Sequence, residues 1–123
     1  MLTHIHRLDI QQKHFEEVKA GMQRVMVYGT GRHYAIDSLQ MAGKTGTAQN
    51  PHGRDHAIFI GFAPADYPKI AVAVVVENAG FGATWACPVA SMMMEQYLTG
   101  NVKRKDLRRR ISEAVLNESV KKW

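Results

Sequence analysis

Two apolar runs constrain the fold of this chain more than any other feature of its sequence. Residues 57–63 and 70–76 consist of aliphatic, aromatic and small side chains, many of them β-branched, a composition typical of β-strands. The segment between them, residues 64–69, contains two prolines and an aspartate, as expected of a loop that joins two strands into a hairpin. Because both runs are continuously apolar, we expect both faces of the resulting sheet to be covered.

A helical pattern precedes these strands. Apolar side chains recur there at the spacing of one helix face, with charged and amide side chains between them. The apolar positions are Phe15, Val18, Met22 and Val25. Asp9, with Gln12 three residues later, resembles a capping arrangement at the start of this helix.

A second helical pattern follows the strands, with Pro88 near its start and Gly100 at its end. Cys87 is expected to be a small buried residue close to that start. The order of helix, strands and helix predicts an α/β or α+β fold in which antiparallel strands are flanked by helices.

The net charge of +5 is concentrated at the C-terminal end of the 123-residue chain. Residues 100–123 carry eight basic and three acidic side chains, whereas basic and acidic residues are balanced over residues 1–99. Three interpretations of this tail stay open: a solvated amphipathic helix, a contact with anionic lipid head groups, and nucleic-acid binding. The last is the weakest, since the rest of the chain is charge-balanced and carries no nucleic-acid recognition motif, and we predict no nucleic-acid partner.

Composition also disfavours several classes of protein. No apolar run reaches the roughly 18–20 residues that a membrane span needs, and residues 1–9 lack the apolar core of a secretion signal. The single cysteine excludes an internal disulfide and a cysteine-based zinc cluster. His52, Asp55 and His56 lie close together, but they fit no structural zinc pattern and are expected to form a polar turn. We therefore predict no metal site and no cofactor.

The segment around Lys44 is the candidate for chemistry, and it admits two interpretations. In the first, Gly43, Lys44 and Thr45 end a phosphate-binding P-loop. That motif requires a glycine where this chain has Ser38, and a helix that begins at the lysine to hold the phosphates. The residues that follow include a glycine at 46 and a proline at 51, which would not sustain a helix. We reject the P-loop interpretation.

In the second interpretation, Lys44, Thr45 and Gly46 form the K-T-G motif of penicillin-binding proteins and serine β-lactamases. Three residues alone are weak evidence, but the neighbouring segments match the same family. These segments are residues 29–32, 42–50, 59–64 and 76–80. Over residues 12–99 the chain closely resembles the end of a class B penicillin-binding protein, with the greatest likeness to the penicillin-binding protein 2 type.

This resemblance implies a fold and a function. Residues 1–100 would be the C-terminal portion of a transpeptidase domain, and residues 101–123 a basic helical tail. Members of the family are serine D,D-transpeptidases that cross-link peptidoglycan through an acyl-enzyme, bind D-Ala-D-Ala stem peptides and β-lactams, and need no cofactor. The parent protein would be anchored in the inner membrane with a periplasmic catalytic domain. Its partners would be a lipid-linked glycan polymerase and the elongation complex.

The resemblance also assigns roles to residues of the motif. Lys44 would supply positive charge to the substrate carboxylate and to the proton-transfer network. The hydroxyls of Thr45 and Thr47 would donate hydrogen bonds to that carboxylate, while Gly46 would let the substrate lie close to the strand. The backbone N–H of Thr47 would be one of two oxyanion donors.

The border of the cleft is expected in two places near this strand. Phe81 and Trp85 belong to the loop that follows the second apolar run, and Gln49 follows the motif itself. These three residues are the remaining site candidates.

Two of the three motifs that the family requires are missing from this sequence. Neither S-x-x-K nor S-x-N occurs upstream of Lys44, where Ser38 is the only serine. Ser119 and Lys122 do fit S-x-x-K, but they follow the K-T-G in a polar tail, and we attribute the match to chance. The expectation is a C-terminal fragment without a nucleophile, inactive alone and prone to association through apolar surface.

Two alternative functions stay open at this stage. One is a part of a penicillin-recognising hydrolase or sensor from the same superfamily. The other is a non-catalytic module that binds peptides along the edge of the K-T-G strand.

Overall fold

The computed structural model describes residues 7–114, so the tail match at Ser119 and Lys122 lies outside the described residues. Three helices and three strands form the described part of the chain. They are α1 (Gln12–Val27), β1 (Ala42–Ala48), β2 (His56–Ala63), β3 (Ile70–Val76), α2 (Ala86–Thr99) and α3 (Lys105–Ser112). Two short 3-10 turns, Arg32–Tyr34 and Asp37–Leu39, connect α1 to β1. The predicted mixed α/β class is confirmed.

The strands form an antiparallel sheet in the order β1-β2-β3. In the register of this sheet, Lys44 lies opposite Ile60 and Ile60 lies opposite Ala73. The hairpin predicted from the two apolar runs is therefore confirmed as β2 and β3. The strand that carries the K-T-G residues precedes the hairpin and lies at the edge of the sheet.

The hydrophobic core lies between one face of the sheet and α2. Phe59, Val72 and Val74 point to this face and are buried with Ala90 and Met94 of the helix. The ring of Phe59 packs closely against the strands, because the two positions beside it are glycines. A Cβ atom at Gly43 or Gly61 would approach the Phe59 ring to under 3.0 Å, which real contacts do not allow.

Of the two expectations about the faces of the sheet, the one that both are covered is wrong for residues 7–114, and the one that the chain exposes apolar surface is confirmed. Side chains alternate along a strand, so the neighbours of the core residues point to the opposite face. There Ile60 is 49% exposed and Val75 is 61% exposed. The helix α2 packs only on the face that carries Phe59, and the continuous apolar sequence of β2 and β3 leaves an apolar surface on the other.

Two details of α1 also differ from the prediction. The helix is preceded by Gln11 without a side-chain cap, so Asp9 does not cap it. The predicted apolar stripe is buried only toward its end: Val18 is 62% exposed, whereas Met26, which was not predicted, is almost fully buried in the core. The reason is that side chains of α1 enter the core only at its C-terminal end, next to the turn into Arg32–Tyr34.

The second helix agrees with its prediction. It ends at Gly100, whose φ of 77° is in the left-handed region that favours glycine, and whose N–H donates to the Gln96 carbonyl at 2.9 Å. Cys87 is fully buried in its first turn. Burial raises the pKa of the Cys87 thiol to about 12, so it stays protonated at neutral pH.

Candidate functional site

The three K-T-G residues and Thr47 lie on the more exposed half of an edge strand. Burial decreases along β1, from Ala42 and Gly43, which are buried, to Lys44 and Thr47, which are exposed. Within residues 7–114, no strand pairs with the edge of β1 that faces away from β2. The strand continues through Lys44, so no helix begins at this lysine, and the rejection of the P-loop is confirmed.

The side chains of Lys44 and Thr45 lie on opposite faces of β1, yet both reach polar partners near its edge. Lys44 Nζ donates to the carbonyl oxygen of Thr45 at 2.8 Å. On the other face, the Thr45 hydroxyl is 3.1 Å from the hydroxyl of Thr30, which lies in the turn after α1. Thr30 was part of the family resemblance without an assigned role, and its contact with Thr45 could not be read from sequence.

The hydrogen-bonding register sets the direction of the backbone groups of β1. Gly46 lies opposite Ile58. The carbonyl oxygens of both residues and the nitrogen of Gly46 all lie within 3.1 Å of the position that a Cβ atom on Gly82 would take. The two carbonyl oxygens are therefore close together between the strands, which requires that Gly46 and Ile58 exchange hydrogen bonds. In an antiparallel ladder the adjacent residues then direct their N–H and C=O groups outward. The backbone groups of Thr45 and Thr47 therefore face the free edge.

A cavity of about 330 Å³ lies at the end of β1. It is formed by the end of the strand, the turn before β2 and the loop between β3 and α2. Its lining residues are Thr47, Arg54, Asp55, Ala79, Gly80, Phe81, Thr84 and Trp85. Among the candidates for the cleft border, Phe81 and Trp85 thus lie together with Thr47, while Gln49 is exposed and does not line this cavity.

The loop between β3 and α2 is tied to the turn between β1 and β2 by hydrogen bonds. The N–H of Asn78 donates to His56 Nδ1 at 3.0 Å, and its side-chain oxygen accepts from Asn50 Nδ2 at 2.8 Å. The N–H of Gly80 donates to the Asp55 carbonyl at 2.8 Å. The two walls of the cavity are therefore held relative to each other, a feature that arises only from tertiary contact.

The residues considered as zinc ligands take part in this network. His56 Nδ1 accepts a hydrogen bond from the Asn78 N–H, and Asp55 Oδ1 accepts one from the Asn50 N–H at 3.1 Å. In the part of the chain that the structure describes, no group of three or more histidine, cysteine, aspartate or glutamate residues is placed to hold a metal ion.

Among those same residues, no helix has both the length and the apolar character to cross a bilayer.

A glycine sets the distance between the loop and β1. Gly82 lies directly against the backbone of Gly46 and Ile58, and a Cβ atom at this position would come under 3.0 Å from both carbonyl oxygens. The N–H of Cys87 donates to the Gly82 carbonyl at 2.9 Å and joins the loop to the start of α2. This close approach brings Phe81 and Trp85 to the cavity beside Thr47.

Comparison with known proteins agrees with this geometry. A family model for the penicillin-binding protein transpeptidase domain matches residues 2–95. The chain is 40% identical over 102 residues to peptidoglycan D,D-transpeptidase MrdA of Haemophilus influenzae, which covers 68% of the chain and 16% of that protein. It is 34% identical over 99 residues to stage V sporulation protein D of Bacillus subtilis, covering 72% of the chain and 15% of that protein.

Solved structures give the same result. Pseudomonas aeruginosa PBP2, in complex with WCK 5153, superposes with a TM-score of 0.63 at 43% identity, over 74% of this chain and 21% of that one. PBP2 of Helicobacter pylori, in complex with MreC, has a TM-score of 0.63 at 29% identity, over 78% of this chain and 19% of that one. The chain spans about a sixth of the length of the curated relatives it matches.

Proposed function

Because this chain belongs to the penicillin-binding protein transpeptidase family, we propose that its β1 edge, at residues 44–47, binds the terminal carboxylate of a D-Ala-D-Ala stem peptide. Its relatives in Haemophilus influenzae and Acinetobacter baumannii are both named peptidoglycan D,D-transpeptidase MrdA. The observation that carries the proposal is an edge of β1 that has no strand partner among residues 7–114 and lies beside a cavity, with Lys44 and Thr47 exposed and Thr45 and Gly46 half-buried on it. The steps of recognition follow from the positions of these groups.

The first step is the pairing of charges. Lys44 Nζ makes its hydrogen bond to the Thr45 carbonyl, which uses one of the three ammonium protons. The others can be donated to a carboxylate at the strand edge. A hydrogen bond between charged groups contributes about 1.5–3 kcal/mol, and the lower end applies to an exposed lysine such as this one. The Thr47 hydroxyl is exposed on the other face of β1 from Lys44, and we propose that it reaches the same carboxylate around the strand edge as a neutral donor.

The second step is the addition of the peptide as a strand. The outward N–H and C=O groups of Thr45 and Thr47 offer an extended peptide the partners that β2 provides on the other side of β1. Between these two residues, Gly46 presents no side chain to the peptide. The proposal gives the outward Thr47 N–H the role of an oxyanion donor, and loss of such a donor costs other enzymes about 10²–10³ in rate.

The third step, attack by a serine, has no group in this sequence to perform it. No S-x-x-K precedes Lys44, and the Thr45 hydroxyl has the Thr30 hydroxyl as its neighbour instead of a base. We therefore propose that this 123-residue chain binds the stem peptide and β-lactams reversibly, and that acylation depends on a nucleophile from a longer protein. Residues 1–100 would act as the binding unit and residues 101–123 as a basic extension.

For the whole protein, we propose a role in peptidoglycan cross-linking at the outer side of the inner membrane, with its catalytic domain in the periplasm. Support comes from the relatives named as D,D-transpeptidases and from the solved complex of Helicobacter pylori PBP2 with MreC. Contact with a lipid-linked glycan polymerase and an elongation complex belongs to the same proposal.

The test compares reversible and covalent binding by the full chain. Diacetyl-L-Lys-D-Ala-D-Ala should bind, and its C-terminal amide should bind at least about tenfold more weakly, since about 1.4 kcal/mol of the interaction belongs to the carboxylate. Lys44→Gln should weaken binding of the peptide with the free carboxylate to a similar degree. Lys69→Gln, an exposed lysine in the hairpin loop at the other end of the strands, is the matched control and should bind like the wild type.

A fluorescent penicillin completes the experiment. The proposal predicts that no adduct survives denaturation, because the chain lacks the serine that would be acylated. A stoichiometric covalent adduct would contradict the lack of acylation. Equal affinity for the acid and the amide would contradict the carboxylate site.

A further inference from the structure

An ion pair between the buried Glu95 and the partly exposed Arg104 fixes the start of the basic helix α3 to the body of the domain. Arg104 Nε and Nη2 both lie against Glu95 Oε2, at 3.0 and 2.9 Å. The same guanidinium donates to the Tyr34 carbonyl and the Ser91 hydroxyl, each at 2.8 Å. The side chain of Glu95 is only 4% exposed, and its second oxygen accepts the Lys103 N–H at 2.9 Å. Arg104 is thus a structural residue of the body, not a solvated charge.

A second arginine, six residues after Arg104 and within α3, reaches two aromatic rings. The guanidinium carbon of Arg110 is 5.7 Å from the centre of the Trp85 ring and 5.8 Å from that of Tyr34. Arg110 Nη2 also donates to the Tyr34 hydroxyl at 3.2 Å. Both ring distances are within the range of cation–π attraction. Arg110 therefore bridges Tyr34, in the turn after α1, and Trp85, at the start of α2.

Trp85 connects this contact to the cavity beside β1. Its side chain is half-buried and lines the cavity with Thr47 and Phe81, and the Arg110 guanidinium lies over its ring. Trp85 is the residue that precedes the first turn of α2, so its ring lies between the cavity and α3. Arg110 is the neighbour that brings a charge and a planar group to this ring.

We propose that Arg110 is a positioning residue that holds the Trp85 ring in the wall of the cavity, and that the Arg104–Glu95 pair fixes α3 at the distance this contact needs. The basic segment after residue 100 then contains two kinds of arginine. Arg104 is half-buried against Glu95, and Arg110 is exposed but contacts Tyr34 and Trp85, whereas Arg108 and Arg109 are exposed on the same helix and contact neither ring. The proposal concerns the packing of Trp85 and holds whether or not the cavity takes a stem peptide.

The experiment reads Trp85 directly in the full chain. The sequence has two tryptophans, so Trp123→Phe leaves Trp85 as the sole source of indole fluorescence. Quenching by acrylamide, which is neutral and insensitive to the change in charge, reports the exposure of the ring. In this background we compare Arg110→Gln, Arg110→Lys and the matched control Arg108→Gln, which removes the same charge from an exposed position of α3.

Arg110→Gln is expected to raise the acrylamide quenching constant of Trp85 about twofold and to shift its emission to the red, because the cation over the ring is lost. Arg110→Lys keeps a cation and should remain closer to the parent value. Arg108→Gln should match the parent. Unchanged quenching in Arg110→Gln, or an equal rise in Arg108→Gln, would overturn the proposal.

Folding is checked by circular dichroism in each variant. Should Arg110→Gln lose its fold, the comparison of Arg110→Lys with Arg108→Gln carries the test. In that case, Trp85 of the folded Arg110→Lys chain should be quenched more than Trp85 of Arg108→Gln and less than Trp85 of the unfolded chain. This result supports the positioning role. Identical quenching in these two variants would refute a specific role for the planar guanidinium.

Discussion

Replacement of Gly82 by alanine is the perturbation that this structure constrains most tightly. The added Cβ atom would lie under 3.0 Å from the carbonyl oxygens of Gly46 and Ile58, and 3.1 Å from the Gly46 nitrogen. Ordinary contacts of a Cβ atom are 3.4 Å or longer. The three atoms belong to the paired backbone of β1 and β2, so they cannot rotate away as a flexible side chain could. The loop that carries Gly82 must move instead, by roughly 1 Å.

The expected cost follows from this displacement. Forcing an extra methyl group into a packed site destabilises proteins by about 1–3 kcal/mol, and a rigid backbone neighbour argues for the upper part of that range. For a chain of this size, about 2–3 kcal/mol corresponds to a fall in Tm of roughly 6–15 °C. The movement should also displace Phe81 and Trp85 from Thr47, so binding at the β1 edge should weaken together with stability.

Urea unfolding of the full chain, followed by circular dichroism, measures the change in stability, and amide chemical shifts locate it. Gly21→Ala is the matched control, because a Cβ atom at this helical position meets nothing within 4 Å. It should stabilise the chain by up to about 1 kcal/mol, since alanine favours helix. The reasoning would be refuted if Gly82→Ala were as stable as the parent, or if its shift changes spared Gly46 and Ile58.

Three further predictions test the packing around this site. Arg104→Gln should lower the free energy of unfolding by about 3–5 kcal/mol, because it leaves Glu95 buried without its partner, and the double variant Arg104→Gln with Glu95→Gln should lower it less. Urea unfolding compares the two variants, and equal losses of stability would contradict an interaction between Arg104 and Glu95. Cys87, whose pKa is raised to about 12 by burial, should react with a disulfide reagent at pH 8 only on unfolding; rapid labelling of folded chain would contradict its burial. Replacing Ile60 and Val75 by threonine should reduce association measured by light scattering, because both are exposed on one sheet face; an unchanged association would place the contact elsewhere.

Much of the fold could be predicted from sequence because its signals are local. The strands β2 and β3 were placed to within one residue, since β-branched runs bounded by proline and asparagine depend on near neighbours only. Gly100 gave the end of α2 for the same reason, because left-handed backbone favours glycine. Local signals failed at Asp9, which resembled a cap but precedes the helix without capping it.

The strand sequences alone do not show which face of the sheet is covered, although the absence of two family motifs predicts an exposed apolar surface. An apolar run such as β3 has the same sequence whether one face or two are buried, and only the position of α2 decides that Val74 is buried and Val75 exposed. The contacts around the site are also non-local. Asn78 meets His56, and Arg104 meets Glu95, through the tertiary fold, so neither contact leaves a pattern in sequence.

The placement of the motif was within reach of sequence, since the resemblance depends on residues that adjoin one another. It named Lys44, Thr45, Gly46 and Thr47, and their assigned roles stay predictions. Phe81 and Trp85 were named from their loop alone, and the structure brings them to Thr47 because Gly82 allows that loop to lie against β1. What sequence could not supply was the second layer behind them, where Arg110 contacts Trp85.

The most direct test of the central claim is a titration of the isotope-labelled full chain with diacetyl-L-Lys-D-Ala-D-Ala, followed by backbone amide chemical shifts. If the β1 edge holds the peptide carboxylate, the largest changes will fall on the amides of Thr45, Gly46 and Thr47, and the C-terminal amide of the same peptide will leave them nearly unchanged. Changes confined to the free edge of β3, or equal changes with both peptides, would contradict the account.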